Sequence, residues 1–378
     1  MKIYKRAVLP SGFKASAVSC GIKKSGRPDL ALMYSKPAAS AACLFTVNKV
    51  KAAQVIVCKR LLKKGVSFNA IIANSGNANC FTGRYGIRAA EETIAYLARE
   101  LSLKKENILV ASTGIIGRRL PVEKIKKSIP VLVDKLSFFG INDAKKAIMT
   151  TDTFPKEISV KFVIGKKEIC VCAIAKGAGM IAPNMATLLV FILTDANIKK
   201  SCLRLALKSS VAKSFNSITV DGCMSTNDSV MLLANSAAGN KIIDNKRGLK
   251  QFSKALDFVC IELAKMIVRD AEGASKFIEI SVAGAKTSME AKKAALAIAN
   301  SNLFKTACYG QNPNFGRIAS AIGASGINVK EERLKIAVSS LKKKDIFVNV
   351  FLGLGSAGCK VYTSDLTPEY IKINAEYN

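Results

Sequence analysis

Histidine is absent from this sequence of 378 residues. Its imidazole is the usual proton carrier of enzymes near neutral pH and the commonest protein ligand of transition metals. The absence therefore excludes catalytic arrangements of the Ser-His-Asp and Cys-His kinds, together with every histidine-ligated metal. If the chain is an enzyme, a different group must move its protons.

Long apolar runs and paired cysteines are missing as well. The longest apolar run, residues 180–193, is interrupted by Pro183 and Asn184 and is shorter than the roughly 20 residues that cross a bilayer. The N-terminus has no apolar stretch of signal-peptide length, because Pro10 and Gly12 interrupt it. The eleven cysteines form no CxxC pair and no disulfide framework. We therefore expect a cytoplasmic protein without a membrane span, metal or cofactor site.

Acidic residues are few, since 27 Asp and Glu stand against 58 Lys and Arg, for a formal net charge of +31. Such a balance is typical of nucleic-acid-binding proteins. The lysines are nevertheless dispersed, and no RNP-type aromatic motif, helix-turn-helix signature or RGG tract accompanies them. A basic binding protein without catalytic function is the alternative from another class. A steep loss of nucleic-acid binding with salt would support it.

The order of apolar segments indicates an α/β protein. Five strand-like pieces precede residue 75, and a turn-rich loop follows at 74–83. These pieces are AVSCGI, LALMYS, AACLFTV, AQVIVC and AIIAN. Later segments predict helices and strands in alternation. The predicted helices are 87–101, 122–136 with a break or kink at Pro130, and about 248–269. The predicted strands are the pair ISVKFVIG and KEICVCAIA, joined through Gly165, and LLVFILTDA. A boundary near 275–285 precedes a smaller subdomain at 280–378.

The segment KGAGMIAPNMATLL, residues 176–189, places a threonine where a glycine-rich stretch meets an apolar run. A threonine hydroxyl acts as a nucleophile only beside a base whose pKa lies near the working pH. Lysine, with a pKa of about 10.4, is too basic, and carboxylates, with a pKa near 4, are too acidic. A free α-amino group, with a pKa of about 7.7 to 8.0, meets this requirement. Thr187 has one only if the chain is cut after Ala186. By pattern alone, a glycine loop before a strand is the simpler interpretation of Thr187.

Nine long motifs follow one another along the chain. They are GFKASAVSCGIKKSGRPDLAL, NSGNANCFTG, STGIIGRRLP, TTDTFPK, KGAGMIAPNMATLL, SFNSITVDGCMSTND, VRDAEGASK, NPNFGRI and INAEY. In this order the chain resembles, over essentially its whole length, the ornithine acetyltransferase family, also called the bifunctional glutamate N-acetyltransferase of arginine biosynthesis. The resemblance implies self-cleavage between Ala186 and Thr187, which gives an α chain of residues 1–186 and a β chain of 187–378.

The resemblance further implies acetyl transfer by a ping-pong mechanism. The acetyl group of N2-acetylornithine moves to Thr187 and then to glutamate, and no metal or redox cofactor takes part. The sequence leaves open whether acetyl-CoA is also a donor. A related aminopeptidase-type hydrolase, which passes the acyl group to water, is the alternative within catalysis. The pair Lys176 and Glu272 favours the transferase.

Individual site residues are implied by the same motifs. Thr113 and Gly114 in STGIIG correspond to the family's oxyanion hole, with one hydroxyl and one backbone N–H. The substrate-binding positions are Thr153, Lys176, Thr187, Glu272 and Asn374. A hydroxyl residue that the family carries about five positions after the asparagine has no counterpart. Either Asn378 with the terminal carboxylate replaces it, or substrate binding is weaker.

Fold and partners also follow from the resemblance. The family fold is an α/β sandwich of the N-terminal-nucleophile-like αββα type, in which two sheets lie between helix layers. The two cleaved chains stay associated, usually as an α2β2 heterotetramer. The expected partners are N2-acetylornithine, glutamate and the chain's own cleaved half, with no nucleic acid and no membrane.

Overall fold

Thirteen strands are present in the part of the chain that the structure describes. The structure is a computed structural model, and it describes residues 1–182 and 188–376. The strands are β1 (Lys2–Tyr4), β2 (Phe13–Val18), β3 (Leu30–Phe45), β4 (Phe68–Asn74), β5 (Ile108–Ser112), β6 (Lys156–Ile164), β7 (Lys167–Lys176), β8 (Leu189–Thr194), β9 (Ser229–Ala234), β10 (Phe277–Ala285), β11 (Lys335–Val338), β12 (Asp345–Phe351) and β13 (Ala357–Ser364).

Ten α-helices accompany these strands within the same two ranges. They are α1 (Ala53–Lys63), α2 (Gly83–Glu100), α3 (Val122–Asp134), α4 (Ile141–Ala147), α5 (Lys200–Lys213), α6 (Lys246–Arg269), α7 (Ser288–Ala299), α8 (Asn302–Tyr309), α9 (Phe315–Gly323) and α10 (Pro368–Ala375). Where the chain is described, none of the helices is long and apolar enough to span a membrane.

The larger sheet has nine strands in the order β1-β6-β7-β8-β9-β3-β4-β5, and β2 also pairs with β3. Strand β3 joins its two halves. The first part of β3 pairs with β2 and β4, the register shifts between Tyr34 and Ala39, and the second part pairs with β9. Strand β8 lies antiparallel to β7 and parallel to β9. It is therefore hydrogen-bonded along both edges.

The core of this sheet explains its apolar sequences. All six residues of β8 and all six of β9 are buried. Strands covered on both faces are continuously apolar rather than alternating. Their side chains join a cluster with residues of β3, β4 and β5 and of helices α1 to α4. The segment that follows Thr187 in the sequence is thus an interior strand.

The smaller sheet has four strands in the order β11-β12-β10-β13. Strand β10 is parallel to β12 and antiparallel to β13. Helix α7 buries five small or branched residues against this sheet, in a separate apolar cluster, namely Ala291, Ala294, Ala295, Ile298 and Ala299. Two sheets with flanking helices confirm the predicted α/β class with a smaller C-terminal α/β part.

The described chain divides into two compact units. The first unit contains residues 1–177, 188–211 and 225–263, and it holds the nine-stranded sheet. The second contains residues 178–182, 212–224 and 264–376, and it holds the four-stranded sheet. Each unit is therefore assembled from segments that are distant in sequence.

Most predicted elements are confirmed, including the hairpin of β6 and β7 around Gly165, which has a φ of +63°. Before residue 75, two predicted strands form a single strand, AVSCGI contributes only its first two residues to β2, and one predicted strand is wrong. LALMYS and AACLFTV are parts of one 16-residue strand, β3. AQVIVC forms the first half of helix α1, where Gln54 and Cys58 are buried and Arg60 and Lys63 are exposed. Helix α3 is continuous through the exposed Pro130, so the predicted break there is also wrong.

Candidate active site

A tight turn after β5 carries the two predicted oxyanion-hole residues. Gly114 has a φ of +132°, and a Cβ atom there would lie only 2.5 Å from the backbone nitrogen of Asn77. Only glycine allows this close approach of two backbones. The STGIIG turn therefore packs directly against the NSGNANCFTG loop, so the structure brings two of the sequence motifs together.

Hydrogen bonds fix the conformation of this turn. The backbone N–H of Thr113 donates to the carbonyl of Asn74 at 3.0 Å, and Asn74 Nδ2 donates to the carbonyl of Asn77 at 2.9 Å. The carbonyl of Ser112 accepts from the buried amide of Asn227 at 2.7 Å. Buried amides that satisfy backbone carbonyls rigidify a loop, because an unpaired carbonyl would be costly there. The turn is thus held before any substrate binds.

Lys176 ends strand β7 and lies beside this turn. Its side chain is buried, with 3% exposure, and Nζ donates to the hydroxyl Oγ1 of Thr113 at 3.3 Å. In the sheet, Lys176 pairs with Leu189 of β8, which is two residues beyond Thr187 in the sequence. Two residues that the sequence analysis assigned to the site, Lys176 and Thr113, are therefore in contact.

A buried carboxylate balances the charge of Lys176. Asp152 accepts hydrogen bonds from Lys156 Nζ at 2.5 Å and from the backbone N–H of Gly177 at 2.7 Å. Burial raises the pKa of Asp152, but the charges of Lys176 and Lys156 and these hydrogen bonds outweigh it and lower the pKa to about 2. Asp152 is therefore ionised. The predicted substrate residue Thr153 follows it and is exposed.

A second buried carboxyl group holds the start of β8. Asp228 accepts from the backbone N–H of Leu188 at 2.9 Å, and the N–H of Ser229 donates to the carbonyl of Leu188 at 3.1 Å. Burial raises the pKa of Asp228 well above its ordinary value, although the Leu188 N–H and the charge of Lys176 oppose the shift. The predicted cleavage residues Ala186 and Thr187 lie outside the described residues.

Glu272 and Asn374 meet within the second unit. Asn374, in helix α10, donates from Nδ2 to Glu272 Oε2 at 2.9 Å. A Cβ atom at Gly179 would lie 2.6 Å from Glu272 Oε1, so a larger residue there would displace the Glu272 carboxylate. Helix α6 ends at Arg269, before Gly273, which has a φ of +67° and packs against the backbone of Tyr370. Gly273 therefore shapes the turn after Glu272 and does not end the helix directly.

Comparison with known proteins bears on this arrangement. A family model described as the ArgJ family matches residues 14–378. The chain belongs to the ArgJ family. A relative from Geobacter sulfurreducens, named arginine biosynthesis bifunctional protein ArgJ, is 43% identical over 97% of this chain and 98% of its own. A relative from Methanocaldococcus jannaschii, named glutamate N-acetyltransferase, is 44% identical over 97% of each chain.

Solved structures with similarity to this ArgJ-family chain include two at moderate sequence identity. Ornithine acetyltransferase complexed with ornithine, from Mycobacterium tuberculosis, is 36% identical, with a TM-score of 0.45, and the match covers 50% of this chain and 99% of that chain. The arginine biosynthesis bifunctional protein ArgJ from Bacillus halodurans is 40% identical, with a TM-score of 0.48, over 50% of this chain and 98% of that chain. Family membership confirms the resemblance predicted from the motifs.

Sequence reasoning missed several residues that build the site of this ArgJ-family chain. Asp152 and Asp228 stand inside the motifs TTDTFPK and SFNSITVDGCMSTND, where neither was predicted as a site residue, and Gln54 was predicted to lie in a strand. Gln54 Nε2 donates to the carbonyl of Ser112 at 3.3 Å, beside Asn227. The available signal was a lone polar residue within an apolar stretch, which in a buried segment needs a hydrogen-bond partner.

Metal binding is not indicated in the described part of this chain. Within residues 1–182 and 188–376, no three His, Cys, Asp or Glu side chains are grouped so that they could hold a metal ion.

The free cysteines are mostly buried, and burial raises the pKa of Cys58 and Cys172 to about 12. These thiols are therefore poor nucleophiles.

Proposed function

We propose that this chain transfers the acetyl group of N2-acetylornithine to glutamate in arginine biosynthesis. The proposal is carried by family membership over residues 14–378 together with the buried contact between Lys176 and Thr113 beside a turn that only Gly114 allows. The names of two relatives, glutamate N-acetyltransferase and ornithine acetyltransferase, indicate the substrate class.

The first step is self-cleavage of the bond between Ala186 and Thr187. The Thr187 hydroxyl oxygen attacks the carbonyl carbon of Ala186, the C–N bond breaks, and the hydroxyl proton passes to the leaving nitrogen. Water then hydrolyses the ester, leaving a carboxylate on Ala186 and a free hydroxyl on Thr187. The new α-amino group, with an ordinary pKa of about 7.7 to 8.0, becomes the base that the histidine-free sequence otherwise lacks.

Acetyl transfer then follows in two half-reactions. Thr187 attacks the acetyl carbonyl of N2-acetylornithine, ornithine leaves, and the amine of glutamate attacks the acetyl-threonine ester. The hydroxyl of Thr113 and the N–H of Gly114 stabilise the oxyanion in each step, and one such donor typically contributes about 3 to 4 kcal/mol. Because Lys176 donates to the Thr113 hydroxyl oxygen, it orients that hydroxyl so that its proton is free for the oxyanion.

Substrate recognition rests on charge. Lys176 supplies a cation for the substrate α-carboxylate. Asp152 is the counterion of Lys176, and the predicted substrate residue Thr153 follows Asp152 in the sequence. Glu272, oriented by Asn374, supplies a carboxylate for the side-chain ammonium of ornithine. We further propose that the mature protein needs no cofactor, is cytoplasmic, and associates as an α2β2 heterotetramer of the two cleaved chains.

A denaturing gel and product analysis test the proposal. Purified wild type should show two bands, for residues 1–186 and 187–378, and Thr187→Ala should show one full-length band. With N2-acetylornithine and glutamate, the product should be N-acetylglutamate. An uncut, inactive wild type would contradict self-processing, and acetate without N-acetylglutamate would indicate a hydrolase. Since relatives are named bifunctional, acetyl-CoA should be assayed as a second donor.

A further inference from the structure

The loop DGCMSTND begins and ends with an aspartate, Asp221 and Asp228, and each side chain accepts backbone hydrogen bonds from a segment that flanks the predicted cleavage bond. Asp221 holds residues before Ala186, and Asp228 holds the residue after Thr187. Neither aspartate has a role in the acetyl-transfer chemistry proposed above. What the two aspartates have in common is that each binds backbone N–H groups close in sequence to the predicted cleavage bond.

The upstream anchor lies within the second unit. Asp221 Oδ2 accepts from the N–H of Met180 at 2.6 Å, and Oδ1 accepts from the N–H of Ile181 at 2.9 Å. The carbonyl of Ile181 accepts from the N–H of Val220 at 2.8 Å and from the hydroxyl of Thr219 at 3.1 Å. Both backbone polar groups of Ile181 are thus fixed.

Backbone strain accompanies this anchor. Met180 has a φ of +56°, in the left-handed region that a side chain with a Cβ atom disfavours by roughly 1 to 2 kcal/mol. Such a conformation persists only where its surroundings hold it. The hydrogen bond of 2.6 Å from its N–H to Asp221 Oδ2 is one contact that holds it. The backbone conformation at Met180, six residues before Ala186, is therefore imposed by its surroundings.

The downstream anchor lies within the first unit. The N–H of Leu188 donates to Asp228 Oδ1, and its carbonyl accepts from Ser229, so both backbone groups of the residue after Thr187 are fixed as well. Asp228 is fully buried. The two anchors also share a spacing, because Ile181 and Asp221 are 40 residues apart and so are Leu188 and Asp228.

We propose that Asp221 and Asp228 are positioning residues for self-cleavage, which hold the backbone before and after the Ala186–Thr187 bond. The inference rests on the proposed cleavage at that bond. Holding the attacking hydroxyl and its carbonyl in a reactive arrangement removes the entropy cost of finding it, which is the main advantage of an intramolecular reaction. Loss of either anchor should therefore slow cleavage even when the protein folds.

The two aspartates should respond differently to asparagine. Both oxygens of Asp221 accept more than one hydrogen bond, since Oδ1 also accepts from the N–H of Cys223 at 3.0 Å and Oδ2 from the hydroxyl of Tyr370 at 3.3 Å. The amide of asparagine would turn an NH2 group toward donors. Asp228 uses Oδ1 for the N–H of Leu188, and the hydroxyl groups of Ser225 and Thr46 also lie beside its carboxyl group. A hydroxyl group can accept from an amide as well as donate to a carboxylate. Asparagine can replace it.

Cell-free synthesis of the full chain, sampled over time on a denaturing gel, measures the cleavage rate. We expect Asp221→Asn and Asp228→Leu to slow cleavage at least 10-fold, whereas Asp228→Asn stays within about 3-fold of wild type. Asp195→Asn is the matched control. Asp195 is also buried in the first unit and accepts two backbone N–H groups, from Cys170 at 2.9 Å and Ser11 at 3.2 Å. The Asp195→Asn chain should therefore cleave at the wild-type rate.

The possible outcomes separate the two proposals. An uncut wild type would overturn self-cleavage itself. A cut wild type with Asp221→Asn and Asp228→Leu cut equally fast would overturn the anchors alone, as would loss of cleavage in Asp195→Asn at the same melting temperature. If Asp228→Leu fails to fold, Asp221→Asn decides for the upstream anchor. Tyr370→Phe, which removes one hydrogen bond to Asp221, should then slow cleavage by more than 3-fold but less than Asp221→Asn does. Slow cleavage of Asp228→Asn would contradict the role given to Asp228.

Discussion

The Lys176 region of the first unit and the Glu272 region of the second are built in opposite ways. Lys176 and Asp152 are buried, and they lie at the end of β7 and just before β6. Glu272 is half-buried in a turn, and its partner Asn374 is exposed in helix α10. Charged groups of the first region are therefore fixed by the sheet, whereas those of the second are within reach of solvent.

This difference separates chemistry from recognition. Electrostatic interactions are stronger where water is excluded, so a buried lysine and carboxylate impose a large, fixed field. A half-exposed carboxylate is screened by water and contributes less. We infer that the first region sets the rate of bond making and breaking, and that the second sets the affinity for ornithine. Five measurements can test this division.

The largest effect is expected for Gly114→Ala. The added methyl group would collide with the backbone of Gly76 and Asn77 and displace the proposed oxyanion donor, so kcat/KM should fall about 1,000-fold, or about 4 kcal/mol. Steady-state assays of N-acetylglutamate formation measure it. Gly117→Ala is the control, because Gly117 also has a positive φ, +82°, but faces open space. Loss of less than 10-fold in Gly114→Ala would contradict the assigned role.

Lys176→Met should lower kcat about 100-fold, or about 3 kcal/mol. The substitution removes the donor to Thr113 and leaves the buried Asp152 with less compensation. Lys167→Met, an exposed lysine of the same strand, should retain activity. KM should rise as well, because Lys176 is also proposed to bind the substrate α-carboxylate. An increase in KM with an unchanged kcat would show that Lys176 serves recognition alone, against the comparison drawn above.

Acid should destabilise the first region through Asp152. Its pKa falls from an ordinary 3.8 to about 2 in the folded protein, so it contributes stability above pH 4 that is lost as the pH falls toward 2. The loss amounts to about 2 kcal/mol. Urea unfolding at several pH values should show a flatter acid dependence for Asp152→Asn than for wild type. An unchanged slope would contradict the charged state of Asp152.

Glu272→Gln should raise the KM for N2-acetylornithine about 10-fold, or about 1.4 kcal/mol, with little change in kcat. Glutamine keeps the acceptor for Asn374 but loses the charge that ornithine's ammonium needs. Steady-state kinetics with each substrate varied separately provide the measurement. Glu369→Gln, an exposed carboxylate of α10, serves as the control. A change in kcat alone would show that Glu272 acts in the chemical step, as the first region is inferred to do.

The smallest effect is expected for Asn374→Ala, about 5-fold in KM, because it removes one hydrogen bond worth about 1 kcal/mol. Asn374 acts by orienting Glu272. The double variant with Glu272→Gln should therefore lose less than the two single effects combined. Additive losses would indicate that Asn374 binds substrate independently.

The candidate site could be predicted from the sequence because its residues stand in long motifs, whereas the residues that support it could not. Lys176, Thr113 and Gly114 were named from such motifs, and the first two are in contact. Asp228 and Asn227 are far in sequence from the backbone groups that they hold, so no local pattern connects them. Only tertiary packing decides which carbonyl or N–H a buried polar side chain meets.

The fold shows the same limit. Strands such as β7 and β8 were predicted because their apolar runs are long and bounded by turns. Helix α1 was missed because Val55 and Val57 favour a strand locally, and its helical spacing becomes visible only when Leu61 and Leu62 are included. Packing of this helix against β5 and α2 overrides the local preference.

The position of β8 in the large sheet has a consequence for the cleaved molecule. A cut after Ala186 would leave β7 and β3 on one product and β8 and β9 on the other, and these strands are neighbours in the order β7-β8-β9-β3. The two products would be interleaved and would share one apolar cluster. They could not dissociate as preformed subunits, so their separation should coincide with melting of the sheet. Halves expressed separately would have to fold together.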